Sequence, residues 1–139
     1  MAKNAVCHPL SSPVIRKFAD DIEKSIASSS IVLSSNFQKY FGPDNKTLYI
    51  KGQISFIDSS VLEVSLYAVE SGNTLTISKY RMHYMNNRRQ MLFRYDNAPH
   101  YPEIPSHPHH KHITDKIVSA SMPSFKDVMN EISAIIIRS

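Results

Sequence analysis

Apolar positions follow two different rhythms along this chain. Near the N-terminal end, Ile15, Phe18, Ile22 and Ile26 recur at three- and four-residue intervals with Ala19 beside them, while Asp20, Asp21, Glu23 and Lys24 fill the other side. That spacing predicts an amphipathic helix. Ser12-Pro13 opens it, because Ser caps and Pro tolerates the first helical position, and Ser28-Ser29-Ser30 ends it. From Ile31 the rhythm becomes alternation of period two, which predicts strands over 31–41, 48–57, 61–70, 75–85 and 91–96. Leu48, Ile50, Ile54 and Phe56 share one face of the second, and Leu62, Val64, Leu66 and Ala68 one face of the third. Gly42-Pro43-Asp44-Asn45, Asp58-Ser59-Ser60 and Ser71-Gly72-Asn73 are turn signals between them. The helical rhythm returns with Phe125, Val128, Met129, Ile132, Ile135 and Ile136, opened by Ser124 and Asp127 as an acidic variant of the capping box.

The fourth and fifth strands can be read side chain by side chain. Tyr80, Met82 and Tyr84 alternate with Arg81 and His83, and Met91, Phe93 and Tyr95 alternate with Leu92, Arg94 and Asp96. An even-length loop around Asn86–Arg89 sets the aromatic positions opposite one another as core. Lys79, Arg81, His83, Arg94 and Asp96 then form a polar, mostly basic face on the other side. The short links favour an antiparallel meander. The expected architecture is α+β, one domain over residues 1–139: a curved five-stranded antiparallel β-sheet packed by an N-terminal and a C-terminal α-helix, with residues 1–11 as a flexible arm.

Composition narrows the classes. The 139 residues, 42% hydrophobic and 20% charged, suit one soluble globular domain. Cys7 is the single cysteine, which excludes an internal disulfide and a thiolate zinc site. The start of the chain carries no apolar run suited to a secretory signal, and Ile135-Ile136-Ile137 is too short to cross a membrane, so a cytoplasmic protein with no membrane partner is expected. A formal net charge of +4 modestly favours an anionic partner.

One segment carries most of the candidate chemistry. Phe93 to His112 holds five of the seven histidines, four prolines, and Arg94, Asp96, Glu103 and Lys111. Histidine exchanges protons near neutral pH, and Arg and Lys hold phosphate. The segment reads as a motif loop that leaves the basic face of the fifth strand. Arg88-Arg89 reads as a solvated hairpin tip, and Gly42, Gly52 and Gly72 are too isolated for a phosphate-cradling loop.

The strings Tyr80-Arg81-Met82-His83-Tyr84, FRYDNAPH over 93–100, Pro102-Glu103 and PHHKH over 108–112 resemble the TumE family, small toxins of prokaryotic toxin–antitoxin pairs. Two departures stand out: Tyr101 follows His100 where the family commonly has a second histidine, and Ser106-His107 precedes PHHKH where an aromatic residue is common. The resemblance implies a toxin with a cognate antitoxin, expected to be a small helix-turn-helix protein.

Three chemistries fit the residues. A metal-independent endoribonuclease needs a base for the 2′-hydroxyl, an acid for the leaving 5′-oxygen and cations for the phosphate. His83, His100, His109, His110 and His112 can move protons, with Arg94, Asp96, Glu103 and Lys111 completing the expected catalytic set. Arg81, Arg94 and Lys111 can hold phosphate and Tyr101 can stack a base, which makes RNA the expected substrate. No cofactor is required for that reaction. Alternatively, His107, His109, His110 and His112 bind a divalent metal such as zinc or nickel, although neighbours on an extended segment point to opposite sides. The third reading is a non-catalytic module that binds nucleic acid or protein. Self-association stays open in all three.

Overall fold

A computed structural model of the protein describes residues 13–139. The arm expected over 1–11, with Cys7 and His8, and the Ser12 cap lie outside the described residues. The elements run α1 (Pro13–Ala27), β1 (Val32–Phe41), β2 (Thr47–Phe56), β3 (Val61–Ser71), β4 (Thr74–Met85), β5 (Met91–Asp96), β6 (His110–Ile113), β7 (Lys116–Ser119) and α2 (Phe125–Arg138). All strands pair antiparallel with their sequence neighbours in the order β1-β2-β3-β4-β5-β6-β7. The α+β class and the meander agree with the sequence; the strand number does not, because among the described residues the sheet has seven strands rather than five. The two extra strands come from the end of the histidine-rich segment. His110-Lys111-His112-Ile113 pairs with β5 and turns through Thr114-Asp115 into β7.

Both helices pack on one face of the sheet. Ile15, Ala19 and Ile22 of α1 and Val128, Met129 and Ile132 of α2 are buried against Leu48, Ile50, Ile54, Phe56, Leu62, Val64, Leu66, Ala68, Tyr80, Met82, Tyr84 and Phe93. α2 opens with the expected box: Ser124 Oγ accepts from the Asp127 N–H at 3.0 Å, and the Asp127 carboxylate accepts from the Ser124 N–H at 3.1 Å. Gly52 leaves room for the Phe37 ring on the same face, since a Cβ there would lie 2.3 Å from Phe37 Cδ1.

Two irregularities set which side chains reach the other face. In β4 the pairing with β3 shifts between Tyr67 and Ala68, so Ser78 is an extra residue. That bulge lets Leu75 and Ile77 share the core with Tyr80, Met82 and Tyr84 despite their opposite parity. The β4–β5 loop is the five-residue Asn86–Gln90, an odd length, and a second shift at Tyr84/Met85 absorbs the extra position. Met82 thus still faces Tyr95, and Tyr84 still faces Phe93.

Candidate functional site

Strand register arranges the face away from the helices into three cross-strand rows. One runs Asn36, Gln53, Glu63, His83, Arg94, His112 from β1 to β6. The next runs Gln38, Lys51, Ser65, Arg81, Asp96, His110. The third runs Tyr40, Tyr49, Tyr67, Lys79. Direct cross-strand neighbours on one face are close enough for side chains to interact. The first two rows therefore bring His83, Arg94, His112, Arg81, Asp96 and His110 to one place, from strands far apart in sequence.

Asp96 is the hub. Its carboxylate accepts from Arg94 Nε at 3.0 Å and from the Ala98 N–H at 3.1 Å, while His110 Nε2 lies 2.8 Å and His112 Nε2 3.6 Å from its oxygens. His110 is buried, and its Nδ1–H donates to the Pro108 carbonyl at 2.9 Å. Arg94 also donates to His112 Nε2 at 3.1 Å, and a guanidinium can only donate, so His112 accepts there as a neutral ring. Burial holds the His112 pKa below the usual histidine value, and the Arg94 charge lowers it further against the opposing pull of Asp96. The His83 pKa is also depressed, by burial first and then by Arg81 and Arg94, whose charges outweigh Glu63. His83 Nδ1 accepts from Arg81 at 3.3 Å. Arg94 thus has a neutral imidazole as its cross-strand neighbour on each side.

The segment between β5 and β6 closes over one end of this cluster. Asn97 docks on the β4 bulge: its Oδ1 accepts from the Tyr80 N–H and its Nδ2 donates to the Ser78 carbonyl, both at 3.1 Å. The Tyr101 ring lies nearly perpendicular to His110 at 5.0 Å and to His112 at 6.0 Å between centroids. A hollow of about 270 Å³ lies between, lined by Lys79, Arg81, Arg94, His100, Tyr101 and His112 among others. A larger hollow of about 570 Å³ adjoins it, lined by residues of β1 to β4, and shares Lys79, Tyr80 and Arg81 with it.

Not every sequence-predicted site residue joins the cluster. Lys111 has the opposite parity and sits on the core face, where Nζ pairs with Glu131 of α2 at 2.6 Å and lies over the Phe93 and Tyr95 rings. His109 turns to Tyr80, stacked at 5.8 Å with Nδ1 2.9 Å from the phenol oxygen. Burial, reinforced by Asp96, raises the Tyr80 pKa, so that phenol keeps its proton beside His109. Glu103 and His107 are exposed on the connecting segment, and His100 is exposed at the rim of the smaller hollow. Of the four histidines considered for a metal, His110 and His112 come together, and with Asp96 they offer ligand atoms within 4.8 Å of one another.

Asn97 is the member of the site that sequence reasoning passed over, since Asp-Asn before Ala-Pro reads as an ordinary turn. The tyrosine row was accessible from parity alone, because Tyr49 and Tyr67 alternate with core residues. No helix among the described residues is long and apolar enough to cross a membrane. In comparison with known proteins, no curated protein and no solved structure matches significantly. The family model described as Toxin TumE matches residues 19–138, in agreement with the resemblance of the motif strings.

Proposed function

The chain belongs to the TumE toxin family, and from that membership and the site's geometry we propose that it is the toxin of a toxin–antitoxin pair and cleaves RNA without a metal ion. The observation that carries this reading is Arg94 set between two histidines that are both kept neutral. A phosphate drawn to Arg94 and Arg81 has an imidazole on each flank. One ring, as base, takes the 2′-hydroxyl proton, and the 2′-oxygen attacks phosphorus. The bond to the 5′-oxygen breaks, a 2′,3′-cyclic phosphate forms, and the 5′-oxygen receives a proton from the other ring. That ring becomes protonated when the bound phosphate offsets the Arg94 charge. His83 and His112 are the residues for these steps. Asp96 and His110 act as positioning residues, because both are buried and Asp96 holds Arg94. Toxicity inside the cytoplasm is then loss of RNA, and the cognate antitoxin, a small helix-turn-helix protein in this reading, blocks it.

The test is cleavage of total RNA by purified protein in excess chelator, with product ends mapped as cyclic phosphates. His83→Ala, His112→Ala and Arg94→Ala are each expected to lower the rate at least a hundredfold with the fold retained. Full toxicity in all three variants overturns the reading.

A metal-bound form is the second reading, favoured by the spacing of Asp96, His110 and His112. His110 has the backbone-carbonyl partner on Nδ1 that commonly orients a metal-ligating imidazole. Against it, Arg94 contacts both Asp96 and His112, setting a cation at the two atoms an ion would need. Stoichiometric zinc or nickel with loss of thermal stability on chelation would favour the metal form.

A further inference from the structure

The tyrosine row lies outside the cluster and has no part in the core. Tyr40, Tyr49 and Tyr67 are direct partners across β1, β2 and β3, on the face opposite both helices. Tyr40 is 52% exposed and Tyr67 39%, large rings left in solvent. Tyr40 and Tyr49 already stack on each other at 6.0 Å. Lys79 ends the row on β4, where it also lines the smaller hollow. The face carries Lys51, Lys79, Arg81 and Arg94 against two carboxylates, Glu63 and Asp96. Four strand spacings, roughly 19 Å, separate β1 from β5. The two hollows share Lys79, Tyr80 and Arg81 and so adjoin each other along that distance.

We propose that this row and the larger hollow are a binding track for single-stranded RNA, which crosses the strands from β1 toward the Arg94 cluster. This rests on the ribonuclease reading for its direction and purpose. Tyrosine faces stack unpaired bases of any sequence, and the lysines and arginines beside them track the backbone. A duplex hides its base faces, so the track selects unpaired RNA over paired RNA. Gln38, Gln53 and Asn36 border the path with amide groups that can meet base edges.

The experiment measures equilibrium binding of a fluorescent, fully 2′-O-methylated single strand, which cannot be cleaved, by the full chain. Tyr40→Ala and Tyr67→Ala are each expected to weaken binding about fivefold or more. Tyr67→Trp should retain it, and Lys51→Glu should weaken it and make its loss with salt shallower. Because these positions are exposed, melting temperatures are expected to stay near wild type, which separates lost stacking from unfolding. A duplex of the same sequence should bind at least tenfold more weakly than the strand. Cleavage of a diribonucleotide, too short to reach the row, should be unchanged in all four variants. Affinity within twofold of wild type in both alanine variants overturns the track, even if the protein proves to be a ribonuclease. Weakened strand binding with no RNA cleavage by wild type supports the track as a binding surface and overturns the ribonuclease reading alone. Loss of antitoxin binding without loss of strand binding assigns the face to protein and also overturns the track.

Discussion

Asp96 and His110 face each other across the β5–β6 pair, with His110 Nε2 2.8 Å from Asp96 Oδ1 and both side chains buried. The second ring nitrogen of His110 meets the Pro108 carbonyl at 2.9 Å. Asp96 also holds Arg94, so one buried carboxylate meets both His110 and the guanidinium, which it fixes between His83 and His112.

Removing Asp96 should therefore cost more than one hydrogen bond. Asp96→Ala leaves a buried imidazole and a half-buried guanidinium without their shared counter-charge, a situation that costs about 3–5 kcal/mol when a buried pair is broken. Denaturant unfolding is expected to show the loss as a lower midpoint with an unchanged slope. Asp96→Asn keeps the shape and one acceptor and should fall between the two. A midpoint unchanged in Asp96→Ala would remove the hub role.

The depressed pKa values of His83 and His112 have a sign that can be checked. The unfolded chain binds their protons from about pH 6.5 downward, while the folded chain resists protonation until lower pH. Stability is thus unaffected by these two groups above that pH and falls as pH drops below it. For cleavage the same shift keeps the ring that acts as base unprotonated, so the acid limb of the rate profile should lie below pH 6.5. His83→Ala and His112→Ala should each flatten the acid-side loss of stability. An acid limb well above pH 7 would contradict the assignment.

Lys111 separates a site role from a structural one. Its ammonium joins β6 to α2 through Glu131, which also accepts from the Tyr95 hydroxyl at 2.7 Å. Lys111→Met should lower stability by about 1.5–3 kcal/mol, the range for a hydrogen bond to a charged group. Per folded molecule, cleavage should be unchanged. A hundredfold loss of rate with normal stability would return Lys111 to the phosphate site.

Much of this arrangement was written in alternation, and its failures have physical causes. Parity set Arg81, His83, Arg94 and Asp96 on one face and Tyr80, Met82 and Tyr84 on the other, as the pairing has them. The reason given for it, an even loop, was incorrect: the loop has five residues and a bulge restores the phase. β6 was missed because its inward residue on the site face is His110, a polar side chain that is buried only because Asp96 pairs with it. A strand whose burial depends on an ion pair has no apolar signal to read. Lys111 misled by type, since a lysine between two histidines suggests phosphate. Its parity matches Tyr95, and Glu131, twenty residues on, holds it.

Asn97 gives the last prediction. It clamps the β4 bulge from β5 with two hydrogen bonds at 3.1 Å, one to the Tyr80 N–H and one to the Ser78 carbonyl. The bulge sets the parity of β4 and so decides that Arg81 and His83 face Asp96 and Arg94. Asn97→Ala leaves both backbone groups to find water or go unpaired, at about 1–3 kcal/mol in stability. Asn97→Asp keeps the acceptor for Tyr80 and loses the donor for Ser78, so it should retain part of that stability. Because Asn97 follows Asp96 directly, the alanine variant should also loosen the turn that carries the Ala98 N–H to the Asp96 carboxylate. The expected result is a rate loss larger than its stability loss explains, with the fall in kcat rather than in the affinity of an uncleavable strand. Equal falls in affinity and rate would mean that the clamp holds the fold alone and has no separate hold on the site.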